Sequence, residues 1–429
     1  MAALPPPSDY ARFWKLDPSY AYLNHGSFGA CPIAVMEAQS RYRERMEAEA
    51  IRYFVIDFDA LMDVARADLA AFVNCNPKDL AFVTNATVGV ATVLENAANL
   101  GMIRSGDEVI TSAHEYPACN NNLRRVAGRV GAVIVNADIP FPLRSADQVV
   151  EAILAKVTPR TRLALVSHVT SPSGLVMPIE RIVSELRARG VETVVDGAHA
   201  PGFTDVDLAK MAPAYYTANC HKWICSPKGS AFLYVREDLQ AGFRPLVLSN
   251  FAEKPKKGRS QFLTESDYIG TADHTAFLSI SDALAFMGTL LAGGRRPGGP
   301  VPTAAEIKSG YLELRKRNRE LVMWARDLVC AKLGVEKPAP DSMIGNLTSI
   351  FLPPHDAERH ARLMARESKY HDALQDALVN THHMQVPVWS VAGKPERLIR
   401  LSAQIYNSRA QYEYLAEALA MELERERRM

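Results

Sequence analysis

The stretch Tyr215-Tyr216-Thr217-Ala218-Asn219-Cys220-His221-Lys222-Trp223-Ile224-Cys225-Ser226-Pro227-Lys228-Gly229 decides how the chain is read. A lysine sits between polar residues and a Pro-Lys-Gly turn, and an apolar strand, Ala231 to Val235, follows. Just upstream, Val194-Val195-Asp196-Gly197-Ala198-His199-Ala200-Pro201-Gly202 reads as an apolar strand that ends in an acid and then a loop. Asp196 precedes Lys222 by 26 positions (222 − 196). A lysine that acts as a nucleophile must be desolvated and partly neutral.

Outward from this stretch the chain alternates. Strands are predicted at Asp79–Val83, Asp107–Ser112, Ala132–Val135, Leu163–Val169 and Glu192–Val195. Helices are predicted from the Thr84–Val90 turn to about Asn99, at Ala146–Val157 and at Ile179–Arg189. Helices of that length between strands imply an α/β fold, a mostly parallel sheet sandwiched by helices. Ligands bind such sheets at the carboxyl ends of the strands, where Thr84, His114, Asp196 and Lys222 all fall. Ahead of the sheet, Ile33–Phe54 and Phe58–Phe72 read as helices, preceded by an arm over residues 1–30. Gly293 to Pro300 is a flexible break that divides a large domain (31–294) from a smaller α+β C-terminal domain (303–429). The latter has a long charged helix from Thr303 to Leu333, strands at Thr348–Leu352 and Arg397–Leu401, and a helix at Ala410–Arg427.

Composition narrows the function classes. Apolar residues make up 48% and charged residues 23%, as in ordinary globular proteins. Lys+Arg of 49 against Asp+Glu of 48 leaves a net charge of +1, which gives no electrostatic case for nucleic acid. No apolar run reaches the roughly 18 to 20 residues of a membrane helix, and Met1–Asp9 lacks the pattern of a signal peptide. A cytoplasmic protein is expected. Six cysteines occur without a CxxC pair, which argues against a zinc site or thioredoxin-type motif, and no metal is expected. No internal repeat, GxGxxG or P-loop is present.

Each motif carries a bland reading beside a chemical one. Asn24-His25-Gly26-Ser27-Phe28-Gly29 is either a ligand-facing loop, since glycine lets backbone come close, or a plain turn into a helix. Thr84-Asn85-Ala86-Thr87 is either a phosphate turn at a helix N-terminus or an ordinary cap by Thr87. His114 and Tyr116 both end a strand, where packing of each on its neighbours is the plain reading. Gly270-Thr271 reads as a helix start with Thr271 as cap. Arg400, in an otherwise apolar strand, binds a ligand carboxylate or sits in a buried salt bridge.

Together the lysine segment, Asp-Gly-Ala-His-Ala-Pro-Gly and Asn-His-Gly-Ser-Phe-Gly resemble the class V branch of pyridoxal-phosphate aminotransferase-fold proteins, in particular the isopenicillin-N-epimerase-like group. The resemblance runs from about Tyr22 to Tyr406. It implies fold type I, with a seven-stranded sheet in the large domain, and pyridoxal 5'-phosphate as cofactor. By resemblance, Lys222 forms the Schiff base and removes the α-proton, and Asp196 holds the pyridine nitrogen. His199 lies near the phenolic oxygen, and His114 or Tyr116 stacks on the ring, Tyr116 doubling as an acid. Ala86, Thr87, Asn219 and His221 bind phosphate, and His168 and Thr170 lie near the cofactor oxygen. Thr271 reaches a partner's phosphate across a homodimer interface. Arg400 binds the substrate carboxylate, with Tyr406-Asn407 following as in relatives, and His25, Gly26 and Phe28 border the substrate. The implied reaction is epimerisation of an amino acid, with β-elimination by a C–S lyase as the alternative and a non-catalytic regulatory role as a third reading. A desulfurase needs a mobile late cysteine, whereas Cys330 sits on an apolar helix and no cysteine follows it.

Overall fold

The computed structural model describes residues 4–254, 256–294, 301–370, 372–390 and 396–429. Seven strands form the central sheet: β1 (Leu80–Val83), β2 (Glu108–Ser112), β3 (Val133–Ala137), β4 (Thr161–Ser167), β5 (Glu192–Asp196), β6 (Tyr215–Asn219) and β7 (Ala231–Val235), in the order β1-β7-β6-β5-β4-β2-β3. Strand β7 alone runs antiparallel to both its neighbours, β1 and β6; the other pairings are parallel. The loop from β6 to β7, which carries Lys222, folds straight back instead of crossing over through a helix, and this is why β7 reverses direction.

Alternate side chains feed two cores. Phe82, Val195, Tyr216 and Phe232 enter one, and Ala81, Val194, Tyr215 and Leu233 enter the other. Both faces are covered: Ala86–Asn99 and Pro117–Val130 pack on the second core, and Ile179–Arg187 and Thr275–Thr289 on the first. Thr275–Ala292 is long and apolar enough to cross a membrane, which the sequence reading did not anticipate. It packs against Ile33–Ala48, Phe58–Val73 and Ala304–Leu333, as the core helix of a globular fold does.

The C-terminal unit holds an antiparallel sheet of β8 (Leu347–Phe351), β9 (Val388–Ser390) and β10 (Arg397–Ser402), with β10 in the middle. Its long helix, Ala304–Leu333, starts in a capping box of Thr303 and Glu306 and stops at Gly334, whose φ is 67°. The N-terminal arm is docked on this unit. Ser8 bonds to Tyr406 and Ile405 carbonyls, Trp14 packs edge-on against Tyr406 at 5.2 Å, and Ala21–Tyr22 pairs in parallel with Met384–Gln385.

Several boundaries move. The helix expected over Ile33–Phe54 ends at Ala48, and the chain makes a wider turn at Tyr53–Asp57. That turn buries Tyr53 and leaves Ile51, Val55 and Ile56 facing out. The helix expected from Ala272 begins at Thr275, because the Asp273 carboxylate, not Thr271, takes the Thr275 N–H at 2.9 Å. Of the flexible break at Gly293–Pro300, residues 295–300 lie outside the described residues.

Candidate active site

A cleft of about 380 Å³ opens along the carboxyl ends of β1, β4, β5 and β6. Asp196, His199, Lys222, Asn219, His221, Ala86, Thr87, Tyr116 and Phe28 line it, joined by Ser27, Thr84, Asn85, Ser167, Val169 and Ser171. Lys222 is half-buried on its floor. Burial, and then the positive charge of Arg400, pull its ammonium down to about 7, so a large fraction is a free amine at neutral pH.

The lysine is held from two sides. Its Nζ lies 3.0 Å from His199 Nε2, and the Trp223 indole N–H donates to His199 Nδ1 at 3.3 Å. An indole nitrogen is a donor only, so Nδ1 accepts and the single imidazole proton sits on Nε2, facing Nζ. Burial and then Lys222 hold His199 well below the usual histidine range, so it stays neutral. Nε2–H donating to a neutral amine agrees with the lowered ammonium. From behind, His25 Nε2 donates to the Lys222 carbonyl at 3.0 Å, and its Nδ1 accepts from the Tyr406 hydroxyl at 2.8 Å. Gly29 allows this close packing. Its φ is +67°, and a Cβ there would lie 2.0 Å from the His221 carbonyl oxygen and 3.0 Å from the Lys222 Cα.

Asp196 closes β5. One carboxylate oxygen accepts from the Ala198 N–H at 2.9 Å, and the other from the Cys119 thiol at 3.2 Å. Burial raises it above the ordinary aspartate range. At the far end of the cleft, the helix Ala86–Asn99 points its first turn inward. Asn85 caps it by accepting from the Val88 N–H, and Asn219 accepts from the Ala86 N–H. The expected cap by Thr87 is therefore made by Asn85, and the Thr87 N–H has no acceptor among the described residues. Gly89 lets this helix approach β6, since a Cβ there would meet Thr217 Oγ1 at 2.0 Å. His221 donates from Nδ1 to the Ser230 carbonyl at 3.2 Å, and burial drops it to about 4.

Arg400 is buried beside the cleft. Its guanidinium donates to the Ser171 carbonyl at 2.9 Å, to Ser27 Oγ at 2.9 Å and to Asn24 Oδ1 at 3.2 Å, and it stacks over Trp389 at 4.9 Å. Its Nε has no partner. No carboxylate pairs with it among the described residues, so the buried-salt-bridge reading does not hold, and burial lowers it to about 10. A buried cation with an open donor and no counter-charge is built for an incoming anion.

The remaining expectations separate. Tyr116 is 45% exposed at the cleft. His114 does not line it; its Nδ1 meets Ser173 Oγ at 2.7 Å and its ring packs edge-on against Phe141. Ser167, Val169 and Ser171 face the cleft, so His168 and Thr170, one position out of step, face away. His168 bonds Tyr216 and Thr170 bonds Ser173. His25 and Gly26 lie behind the cleft wall, where Gly26 sits against Arg400, Ser402 and Leu347. Thr271 is solvent-exposed and bonds the Tyr268 hydroxyl, outside the cleft. Trp223, Cys119 and Ser171 were not singled out from sequence. A Trp directly after the lysine was the one available signal.

The donor set fits a flat group with a phosphate at the Thr87 amide and a basic nitrogen at Asp196. Such a sheet, with an anion turn, an acid and a half-neutral lysine at its carboxyl edge, defines a pyridoxal-phosphate-dependent enzyme. The chain belongs to the aminotransferase class-V family, whose profile matches residues 21–290. It is 34% identical over 417 residues to isopenicillin N epimerase of Amycolatopsis lactamdurans, covering 94% of this chain and 96% of that one. It is 27% identical to a probable chloroplastic L-cysteine desulfhydrase of Arabidopsis thaliana, covering 95% and 84%. Among solved structures, the cysteine desulfurase CsdA of Escherichia coli superposes with a TM-score of 0.71 at 19% identity, covering 96% and 98% of the two chains, a likeness of fold.

Proposed function

We propose that this enzyme removes and returns the α-proton of an amino acid, as an epimerase similar in kind to the isopenicillin N epimerase it resembles. The observation that carries the reading is Arg400, a buried guanidinium without an acid beside a cleft that holds a half-neutral lysine. Bound pyridoxal phosphate supplies an electron sink for a carbanion at the substrate's α-carbon. Asp196 would hold a proton at the ring nitrogen. The Thr87 N–H and the Asn219 side-chain NH2 would hold the phosphate, with His221, its Nδ1–H committed to the Ser230 carbonyl, lining that end of the cleft. Arg400 clamps the substrate carboxylate through its donor fork. Lys222 Nζ, turned away from the His199 Nε2–H that holds its lone pair at rest, takes the α-proton; the Tyr116 hydroxyl gives a proton to the α-carbon, and exchange with solvent returns Lys222 to the amine and Tyr116 to the phenol.

A second reading, β-elimination from a cysteine-type substrate, draws on Tyr116 as a cleft phenol able to protonate a leaving sulfur and on the desulfhydrase relatives. A desulfurase reading finds no support at Cys330. Its thiol is buried in the helix Ala304–Leu333 against the Glu336 carbonyl and pushed up to about 11. Incubating the enzyme in deuterated water with isopenicillin N or with L-cysteine separates the two. Deuterium at the α-carbon without pyruvate is expected. Pyruvate and sulfide from L-cysteine would establish the lyase instead. A full-rate Lys222→Ala variant would remove Lys222 from the chemistry.

The proposal extends to a cytoplasmic homodimer with a boundary between residues 294 and 303. Thr271, exposed and outside its own cleft, would complete the partner's phosphate site.

A further inference from the structure

Glu115 has no part in the chemistry above, yet it is buried beside it. It is 3% exposed, next to Tyr116 and at the start of the helix Pro117–Val130. One carboxylate oxygen accepts from the Ser167 hydroxyl and from the Tyr116 N–H. The other, Oε2, is buried with no partner. No arginine or lysine pairs with Glu115 among the described residues. Its neighbours are Asp196 and Cys119: one carboxylate oxygen from each acid and the Cys119 sulfur all lie within 4.8 Å of one another. Two buried carboxyls at that separation do not both ionise at neutral pH, as like charges in a dry site repel strongly.

We propose that Glu115 is a positioning residue for the cofactor, a second acid behind Asp196 that shares one proton with it and so sets how tightly Asp196 holds the proton on the ring nitrogen. The inference rests on the reading of Asp196 as the ring-nitrogen partner. With the Glu115 proton in place, Asp196 is a weaker base. When that proton leaves, the pair gains a second negative charge and Asp196 binds the ring-nitrogen proton more firmly. The surroundings leave Glu115 as the member that titrates. Cys119, from the helix, is pushed above its ordinary thiol range by burial and then by Asp196 and Glu115. Tyr216, from β6, is raised by burial and Asp196 and stays neutral. Ser167, from β4, only donates. Lys222 is the cation that Asp196 feels. Burial, then Asp196, raise Glu115 to about 8.

The test compares wild type with Glu115→Gln, a neutral isostere. A glutamic acid raised in the folded chain stabilises it at low pH and loses that contribution as pH rises through the folded value. In the full chain freed of cofactor, the folding constant of wild type should therefore fall about tenfold more than that of Glu115→Gln between pH 7 and 9. Any titration of Lys222 is common to both proteins and cancels in the difference. The cofactor-loaded wild type should show a step in its absorbance near pH 8, absent in Glu115→Gln and retained in Glu115→Asp. Asp196→Asn should move the wild-type stability step to lower pH. Parallel stability curves for wild type and Glu115→Gln, or a step unmoved by Asp196→Asn, would overturn the shared proton. An Asp196→Asn protein with an unaltered cofactor spectrum would instead sink the reading of Asp196, and the proposal with it, through a signature the stability curves do not share.

Discussion

The proton on His199 is placed by a residue that never reaches the cleft. Trp223 donates to Nδ1 at 3.3 Å and so commits the ring to the Nε2–H form that faces Lys222. Trp223→Phe keeps a ring against His25 and Phe203, whose centroids lie 4.8 and 5.0 Å away, and deletes only the donor. His199 is then free to turn its Nε2 lone pair toward an ammonium. The midpoint of cofactor uptake against pH, which follows the free amine of Lys222, should rise from about 7 by roughly 0.5 to 1 unit, the worth of one hydrogen bond. An unmoved midpoint would mean that burial alone sets the lysine. Sequence shows this level unevenly. Lys222 and Asp196 are legible because each follows a strand end, an address that alternation alone predicts. Trp223, Cys119 and Glu115 act through the direction of a side chain inside the core, which spacing along the chain does not encode. His25 shows the converse: its motif is distinctive, but its ring braces the lysine backbone and does not line the cleft.

At the scale of an element, β10 carries two buried arginines with opposite environments. Arg397 bonds Asp372 and Glu426, both also buried. Arg400, three residues on and so on the opposite face, has no acid. Replacing Arg397 by Met leaves two carboxylates uncompensated and should cost about 3–5 kcal/mol of stability in urea unfolding, with KM of the surviving folded enzyme little changed. Replacing Arg400 by Met removes a charge that already lacked a counter-ion. It should cost much less stability but raise KM roughly 10²- to 10³-fold, the loss expected when one side of a buried charge pair is deleted. The reverse pattern would assign substrate binding to the wrong arginine. Elements of this kind are legible where helical spacing is long, as for Ala304–Leu333, or where a short apolar run follows a turn, as for β7 after Pro227-Lys228-Gly229. The helix Pro117–Val130 escaped because Asn120-Asn121-Asn122 interrupts its propensity, although Cys119, Leu123, Val126 and Ala127 fall at helical spacing on its buried face. Strand β6, buried at every position, offers no alternation to detect.

Across the whole molecule, apolar surface collects around the loop that bears Thr271. Ile51, Val55 and Ile56 are 70% or more exposed, and Leu246, Val247, Leu248 and Ile269 are 41% or more exposed. The rings beneath tie these segments together: Phe54 and Phe58 lie 6.2 and 4.8 Å from His274, Phe58 lies 6.0 Å from Tyr268, and Phe251 lies 5.3 Å from Tyr268. Water-exposed apolar patches of this kind mark association sites. In a two-fold dimer the same patch meets itself, which would carry each Thr271 toward the opposite cleft. Charges placed there should split the proposed dimer without touching any cleft residue. Val55→Glu with Ile56→Lys is therefore expected to halve the mass seen by light scattering, from twice 47.3 kDa to 47.3 kDa, and to weaken cofactor binding because the partner's Thr271 is withdrawn. Thr271→Val in the intact dimer should weaken cofactor binding without changing the mass. A wild-type chain that scatters as 47.3 kDa at micromolar concentration and binds cofactor equally well with Val at position 271 would show that each cleft is complete within one chain.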